Sequence, residues 1–423
     1  MTWFACKQDG RPADALQNFD LKKPDRLPYS ADIDGIKMKE LWDRMYIYQE
    51  TGRYFAQVAN DIKALATEEL GTLGASQVSG AYRGLHFTAA PDGLYRINHQ
   101  SRLISRVLAP LVAFPCPSDD ALYRKAASVR WEDFLDPGRT FAVFASVSNS
   151  AITHSQFAGL RLKDAVVDYF RERTGRRPSI DTRRPDLWLN LHIDKNQAII
   201  SLDTSGGSLH RRGYRKQTVA APMVETLAAA IIRMTEWDGR RPLADPFCGS
   251  GTLLCEAYLA ASGTPAGILR KHFGFQHLPD YNDTLWQQVR RAGLNQRILT
   301  PPGLISGSDV DAAAVRAARA NADAINANHH IAIDRRDAFD IPTLAGRVIV
   351  CNPPYGIRMG RDEDLSIFYR KLGDFLKQRC RTSTAFIYFG ERAYIKNLGL
   401  KPSWKKPLAA GGLDGRLVKY ELF

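Results

Sequence analysis

Asn352, Pro353, Pro354 and Tyr355 could offer one ligand an amide side chain, a fixed carbonyl and a flat ring. They follow Val348, Ile349, Val350 and Cys351, an apolar run that reads as a buried strand. Two prolines cannot donate to a ladder, so the strand must stop there. A turn that only caps the strand is the plain alternative. Three other strand ends carry polar groups of the same kind. Asp245-Pro246-Phe247-Cys248-Gly249-Ser250-Gly251-Thr252 leads into a helical run, and Gly249 and Gly251 would let the backbone pass close to a ligand. This turn lacks the Lys-Ser/Thr pair of a phosphate loop, which argues against nucleotide hydrolysis. Asp309 and Asp311 open an alanine-rich helix, and a carboxylate there can accept both hydroxyls of a ribose or cap the helix. Asp337, before Ala338, could accept an adenine amino group or sit at a solvated strand end.

These ends imply a parallel sheet, because ligands of such sheets collect beyond the carboxyl ends of the strands. Strands are expected around residues 242–247, 304–310, 331–337, 348–352 and 384–390, with helices between most of them. Residues near the C-terminus, ending RLVKYELF, read as a hairpin that inserts an antiparallel strand at the sheet edge. The N-terminal half reads as two small α+β units. The first has strands at 55–59 and 84–89, a helix over 61–74 and another over Leu94–Leu108. The second has a strand at 140–148, a helix over 160–175 and paired strands at 187–194 and 198–206. A short helix is expected within Lys37–Gln49.

The chain has 423 residues and a formal net charge of +13. Residues 161–216 hold 13 Lys/Arg against 7 Asp/Glu, so nearly half of the excess lies in about an eighth of the chain. A local excess of this kind is the footprint of a polyanion partner, or simply a solvated surface. Arg176, Arg177, Arg211, Arg212, Arg215 and Lys216 are the candidate phosphate contacts. No apolar run is long enough for a membrane helix, and the first residues lack a secretory layout. The six cysteines form no CxxC pair, and His329-His330 lack a plausible third ligand, so neither a disulfide framework nor a metal site is expected. A reducing, cytoplasmic setting fits.

Taken in order, the Asp-Pro-Phe-Cys-Gly-Ser-Gly-Thr run, the paired aspartates, Asp337-Ala338 and Asn-Pro-Pro-Tyr resemble class I S-adenosylmethionine-dependent methyltransferases. Gly213-Tyr214-Arg215, followed by Ala221-Pro222-Met223-Val224-Glu225-Thr226-Leu227, is similar to the THUMP-containing RNA guanine-N2 methyltransferases. Among these the likeness is greatest to the N-terminal methyltransferase half of the bacterial enzymes that modify large-subunit (23S) ribosomal RNA. The resemblance runs from about Tyr54 to the C-terminus. It implies an α/β fold: a Rossmann-like seven-stranded domain at 211–423, preceded by a ferredoxin-like plus THUMP RNA-binding module at 54–210. Residues 1–53 match nothing in the family and form an extension of unknown role.

The resemblance further implies that Asp245, Phe247, Gly249 and Gly251 cradle the methionine part of S-adenosylmethionine. Asp309 would hold the ribose and Asp337 with Ala338 the adenine, while Pro222, Glu225 and Thr226 close over the cofactor. The catalytic turn is Asn352, Pro353, Pro354 and Tyr355. The exocyclic amine of guanine is a poor nucleophile, because its lone pair is delocalised into the ring. The Asn352 oxygen and the Pro353 carbonyl can accept its two N–H bonds, and Tyr355 can stack on a flipped-out base. Cys351, on the strand side, reads as a structural thiol rather than a nucleophile. Other substrates remain open at this point: the same amine on tRNA, adenine N6, cytosine N4 or a protein glutamine. So does a non-catalytic role as an RNA-binding ribosome-assembly factor.

Overall fold

The structure, a computed structural model, describes residues 45–219, 222–354, 362–409 and 412–423. The expected helix within Lys37–Gln49 falls partly outside these residues; its described end belongs to α1, Ile47–Thr51. The chain divides into two compact units. One takes residues up to Phe55, Gln77–Thr88 and Leu108–Asp203, and the other takes Ala56–Ser76, Ala89–Val107 and Thr204–Phe423.

The first unit is built on one eight-stranded sheet. Its strands are β1 (Arg53–Gln57), β2 (Ser76–Ala81), β3 (Gly84–Thr88), β4 (Arg106–Pro115), β5 (Thr140–Ser148), β6 (Ser179–Ile180), β7 (Leu187–Asp194) and β8 (Gln197–Asp203), in the order β2-β3-β1-β4-β8-β7-β5-β6. The two expected α+β units are thus a single sheet, joined where β4 pairs antiparallel with β8. The expected helix over Leu94–Leu108 is half wrong, since the helix stops at Gln100 and β4 begins at Arg106. Val107 to Leu111 are all buried, and a central strand covered on both faces loses the alternation that would mark it as a strand.

Helices follow in chain order as α2 (Lys63–Thr72), α3 (Pro91–Gln100), α4 (Asp119–Ala127) and α5 (Ser155–Thr174). Of these, α4 and α5 belong to the first unit, and α5 packs on β5. Ser118 starts α4 by accepting from the amide of Ala121.

The second unit holds a seven-stranded sheet: β9 (Leu243–Asp245), β10 (Ile305–Asp309), β11 (Ile331–Arg335), β12 (Val348–Cys351), β13 (Thr384–Phe389), β14 (Trp404–Pro407) and β15 (Arg416–Glu421). Its order is β11-β10-β9-β12-β13-β15-β14. The first five run parallel, and β15 lies antiparallel between β13 and β14. All five parallel strands fall within the ranges expected for them. Every residue of β9 and β12 is buried, as expected for strands covered on both faces.

The remaining helices are α6 (Glu225–Met234), α7 (Thr252–Ala261), α8 (Asp283–Asn295), α9 (Ala312–Asp323) and α10 (Asp362–Arg379). The sheet order reverses at β9, with β10 on one side and β12 on the other. Such a reversal opens a crevice at the carboxyl ends of the strands. Register places the groups that line it: Asp245 lies beside Gly307, two residues before Asp309.

Candidate active site

The turn after β9 is held by the strand beside it as well as by its own Asp245. The amide of Cys248 donates to the Ser308 carbonyl, and that of Gly249 donates to Asp309 Oδ2 at 2.9 Å. Gly249 and Gly251 have φ of 52° and 77°, in the left-handed region that favours glycine. A Cβ on Gly251 would meet that of Ala318 at 3.0 Å, whereas one on Gly249 would point into open space. One glycine is therefore fixed by packing against α9, and the other leaves room for a ligand. Helix α7 starts directly from Gly251.

Both aspartates after β10 are assigned by geometry. Asp311 is the helix cap: its Oδ1 accepts from the Ala313 amide at 2.8 Å. Asp309 instead ties the strand end to the glycine turn, and its other oxygen accepts from the Asp311 amide. Asp337 accepts from the Phe339 amide at 2.9 Å and caps a short turn, with Ala338 buried behind it.

Asp245 is almost fully buried. Burial pushes its carboxyl up to about 8; the Phe247 amide, which donates to it at 3.0 Å, opposes this, and the nearby Asp309 carboxylate adds to it.

Asn352 follows β12 on the other side of β9, and its buried Oδ1 has no hydrogen-bond partner among the described residues. An unpaired buried acceptor costs on the order of 1–3 kcal/mol, so it marks a place where a donor belongs. The Pro354 carbonyl accepts from the hydroxyl of Tyr369 on α10 at 3.3 Å. Tyr369 itself is wedged between the rings of Tyr394 and Phe389. Tyr355 lies outside the described residues. Cys351 is buried and its thiol is pushed up by burial, which suits a packing role.

One cleft gathers Pro222, Asp245, Phe247, Gly249 and Asn352, together with Val219, Met223 and Ser250. Glu225, Thr226 and Gly251 are not among its lining residues; nor are Asp309, which reaches it through Gly249, and Asp337 and Ala338 at the end of the outer strand β11. Sequence reasoning misses an aromatic group beside the cleft. Phe247, Phe339 and Phe368 meet edge to face, with centroids 5.6–6.2 Å apart. Phe339 follows Ala338 directly and Phe368 lies on α10, so no sequence spacing links the three.

Two of the six candidate phosphate contacts are corrected. Arg212 is 2% exposed, pairs with the buried Glu256 of α7 at 3.4 Å and donates to the carbonyls of Ser101, Arg102 and Leu209. Arg215 pairs with Glu225 at 2.9 Å and donates to the Met223 carbonyl and the hydroxyls of Ser250 and Thr252. Their charges are spent inside the protein, and Glu225 is likewise occupied. Arg176, Arg177, Arg211 and Lys216 are exposed. Among the described residues, no group of three or more His, Cys, Asp or Glu is placed to hold a metal, and no helix is long and apolar enough to cross a membrane.

Three family models match the chain: an RlmL ferredoxin-like domain over residues 53–108, a THUMP domain over 116–203 and an RMKL-like methyltransferase domain over 212–419. The Synechocystis protein slr0064, provisionally named an RNA methyltransferase, is 41% identical over 88% of this chain and 97% of its own length. The ribosomal RNA large subunit methyltransferase K/L of Syntrophotalea carbinolica is 41% identical over 88% of this chain, and that of Methylococcus capsulatus is 35% identical over the same share. This chain spans about half the length of each K/L protein, 53% and 51%.

Among solved structures, SMU.472, provisionally named a methyltransferase and crystallised with SAH, is 27% identical with a TM-score of 0.77, covering 88% of this chain and 98% of that one. A Listeria monocytogenes protein, provisionally named an N6-adenine-specific DNA methylase, is 26% identical with a TM-score of 0.76, covering 92% and 99%. With its reversed parallel sheet, its glycine turn and Asn352 at the strand ends, and these relatives over most of its length, the chain belongs to the RMKL-like methyltransferases that carry a THUMP domain.

Proposed function

We propose that the protein transfers the methyl group of S-adenosylmethionine to the exocyclic N2 of a guanosine in 23S ribosomal RNA, in the cytoplasm. The observation that carries this reading is the buried Asn352 Oδ1, without a partner among the described residues, in the same cleft as the glycine turn. The residues present fit the cofactor: Gly249 leaves open space, Asp245 can accept an ammonium, and Asp309 has lone pairs left for ribose hydroxyls. Asp337 and Ala338 would meet the adenine, and Pro222 closes the cleft. Glu225 and Thr226 serve that closure from behind.

Bound there, the cofactor supplies an electrophilic sulfonium methyl. Asn352 accepts one N–H of the base amine, and the Pro353 carbonyl accepts the other. Both interactions strengthen as positive charge develops on nitrogen, so they lower the barrier rather than merely tighten binding. Tyr355 would stack on the base. The THUMP match favours an RNA substrate, and the exposed Arg176, Arg177, Arg211 and Lys216 can neutralise its phosphates. We divide the chain accordingly into an extension (1–53), a ferredoxin-like and THUMP module (54–210) and a methyltransferase domain (211–423). Methyl transfer to rRNA, read out as the modified nucleoside, tests this reading.

The raised carboxyl of Asp245 has a consequence for the cofactor. Its folded value, about 8, lies above the usual carboxylate range, so the proton it holds stabilises the fold below about pH 4. That contribution is lost as pH rises through about 8. Pairing with a cationic ammonium requires the ionised form, so cofactor affinity is expected to rise between pH 6 and 8 with release of a proton. The limit is roughly tenfold per unit. Calorimetric titration in buffers of different ionisation heat reads that proton. Asp245→Asn should bind weakly and without this pH dependence; a flat profile for the natural protein would contradict the role.

A further inference from the structure

The cleft has two walls that come from distant parts of the chain. Val219, Pro222 and Met223 form one, and the turn from Asp245 to Ser250 forms much of the other. Behind them lies Asn321, near the end of α9 and 1% exposed. Its Oδ1 accepts from the amides of Lys216 at 2.7 Å and Gln217 at 3.2 Å. Its Nδ2 donates to the Gln217 carbonyl at 3.0 Å and to the Ser250 carbonyl at 2.9 Å. All four of these bonds go to backbone, three to one wall's approach and one to the other wall.

Arg215 repeats the connection with side chains. It joins Glu225 and the Met223 carbonyl on the first wall to the hydroxyls of Ser250 and Thr252 on the second. Neither Asn321 nor Arg215 lines the cleft. An asparagine in an alanine-rich helix has low helix propensity, and a solvent-facing one would need no partner. This one is buried, and its side-chain partners among the described residues all belong to the two walls.

We propose that Asn321 is a positioning residue for the cofactor: it ties Lys216 and Gln217 to the glycine turn, and Arg215 ties Met223 and Glu225 to it. Together they set the width of the cleft. This rests on the cofactor reading above. The amide is the one side-chain group of this size that both accepts from two amides and donates to two carbonyls. Without it the first wall is free to move off the second, and cofactor binding must then order it again. The cost falls on binding, while the base-amine interactions of Asn352 stay intact.

Titration of the unloaded full chain with S-adenosylmethionine, with hydrogen exchange at residues 216–219, tests this. Asn321→Leu should weaken the cofactor by about tenfold or more, since several buried polar groups lose partners. Its amides at 216 and 217 should exchange faster, and KM for the cofactor should rise while kcat at saturating cofactor and RNA stays within about threefold. Should Asn321→Leu not fold, Arg215→Gln, which leaves Asn321 in place, is expected to show the same split. Unchanged cofactor affinity in a folded variant would overturn the proposal. So would an equal loss of RNA affinity and kcat, which would indicate general damage. Failure of the natural protein to bind the cofactor would instead remove the reading beneath it.

Discussion

Asn352→Ala is expected to fold, to bind cofactor and RNA, and to lose on the order of a hundred- to a thousand-fold in turnover. That is the usual cost of removing one preorganised partner of the transition state. The folded chain loses little, because Oδ1 has no partner to abandon among the described residues. In the reaction the loss belongs to the chemical step, where charge develops on the amine. Asn352→Asp keeps an acceptor of the same shape and should be less damaging than alanine. Single-turnover methyl transfer at saturating cofactor and RNA gives the order directly. A near-normal rate for Asn352→Ala would leave Asn352–Pro354 as a strand-ending turn and nothing more.

The second large effect is on stability. Arg212→Met removes the cation facing Glu256, a carboxyl already raised by burial, and leaves the carbonyls of Ser101, Arg102 and Leu209 with fewer donors. Breaking a buried pair on one side costs roughly 3–5 kcal/mol, or on the order of ten degrees of melting temperature for a unit of this size. Neutralising Glu256 as well, in Arg212→Met/Glu256→Gln, should recover only part of it, because the carboxylate no longer lacks Arg212 but the part-buried Arg102 loses Glu256. Thermal unfolding measures both. The salt dependence of RNA binding separates this arginine from the exposed ones. Replacing Arg176 or Arg177 by alanine should lower the slope by roughly 0.7–0.9 for each phosphate no longer neutralised, whereas Arg212→Met should leave it unchanged. A flatter slope with normal stability would return Arg212 to the RNA-binding set.

The contrast between these two arginines and the strands shows what a sequence exposes. Among the parallel strands, β9, β12 and β13 are legible because each is a short apolar run ended by polar or turn residues, and burial on both faces demands that pattern. In contrast, β10 (Ile-Ser-Gly-Ser-Asp) and the edge strand β11 are marked mainly by the acidic residues at their ends. The ends of β9 and β12 are legible because Asp245, Gly249 and Asn352 stand where a buried run breaks off. β2 escapes such a reading because Ser-Gln-Val-Ser-Gly-Ala is largely exposed and carries no periodic apolar signal. A helix through Leu94–Leu108 fails at Ser101, which takes an extended backbone and, buried, donates to Glu69, a partner 32 residues away. Charge counting places Arg212 and Arg215 on a surface because it cannot see Glu256 or Glu225. Asn321 is invisible altogether, since its meaning lies in four backbone groups from two other segments.

The most direct measurement is the nucleoside formed when the purified chain is given labelled S-adenosylmethionine and unmodified 23S rRNA. Digestion to nucleosides followed by mass spectrometry should yield N2-methylguanosine as the labelled product, formed on the order of a hundred- to a thousand-fold more slowly by Asn352→Ala. Label recovered in N6-methyladenosine, or label accepted by tRNA but not by rRNA, would contradict the account.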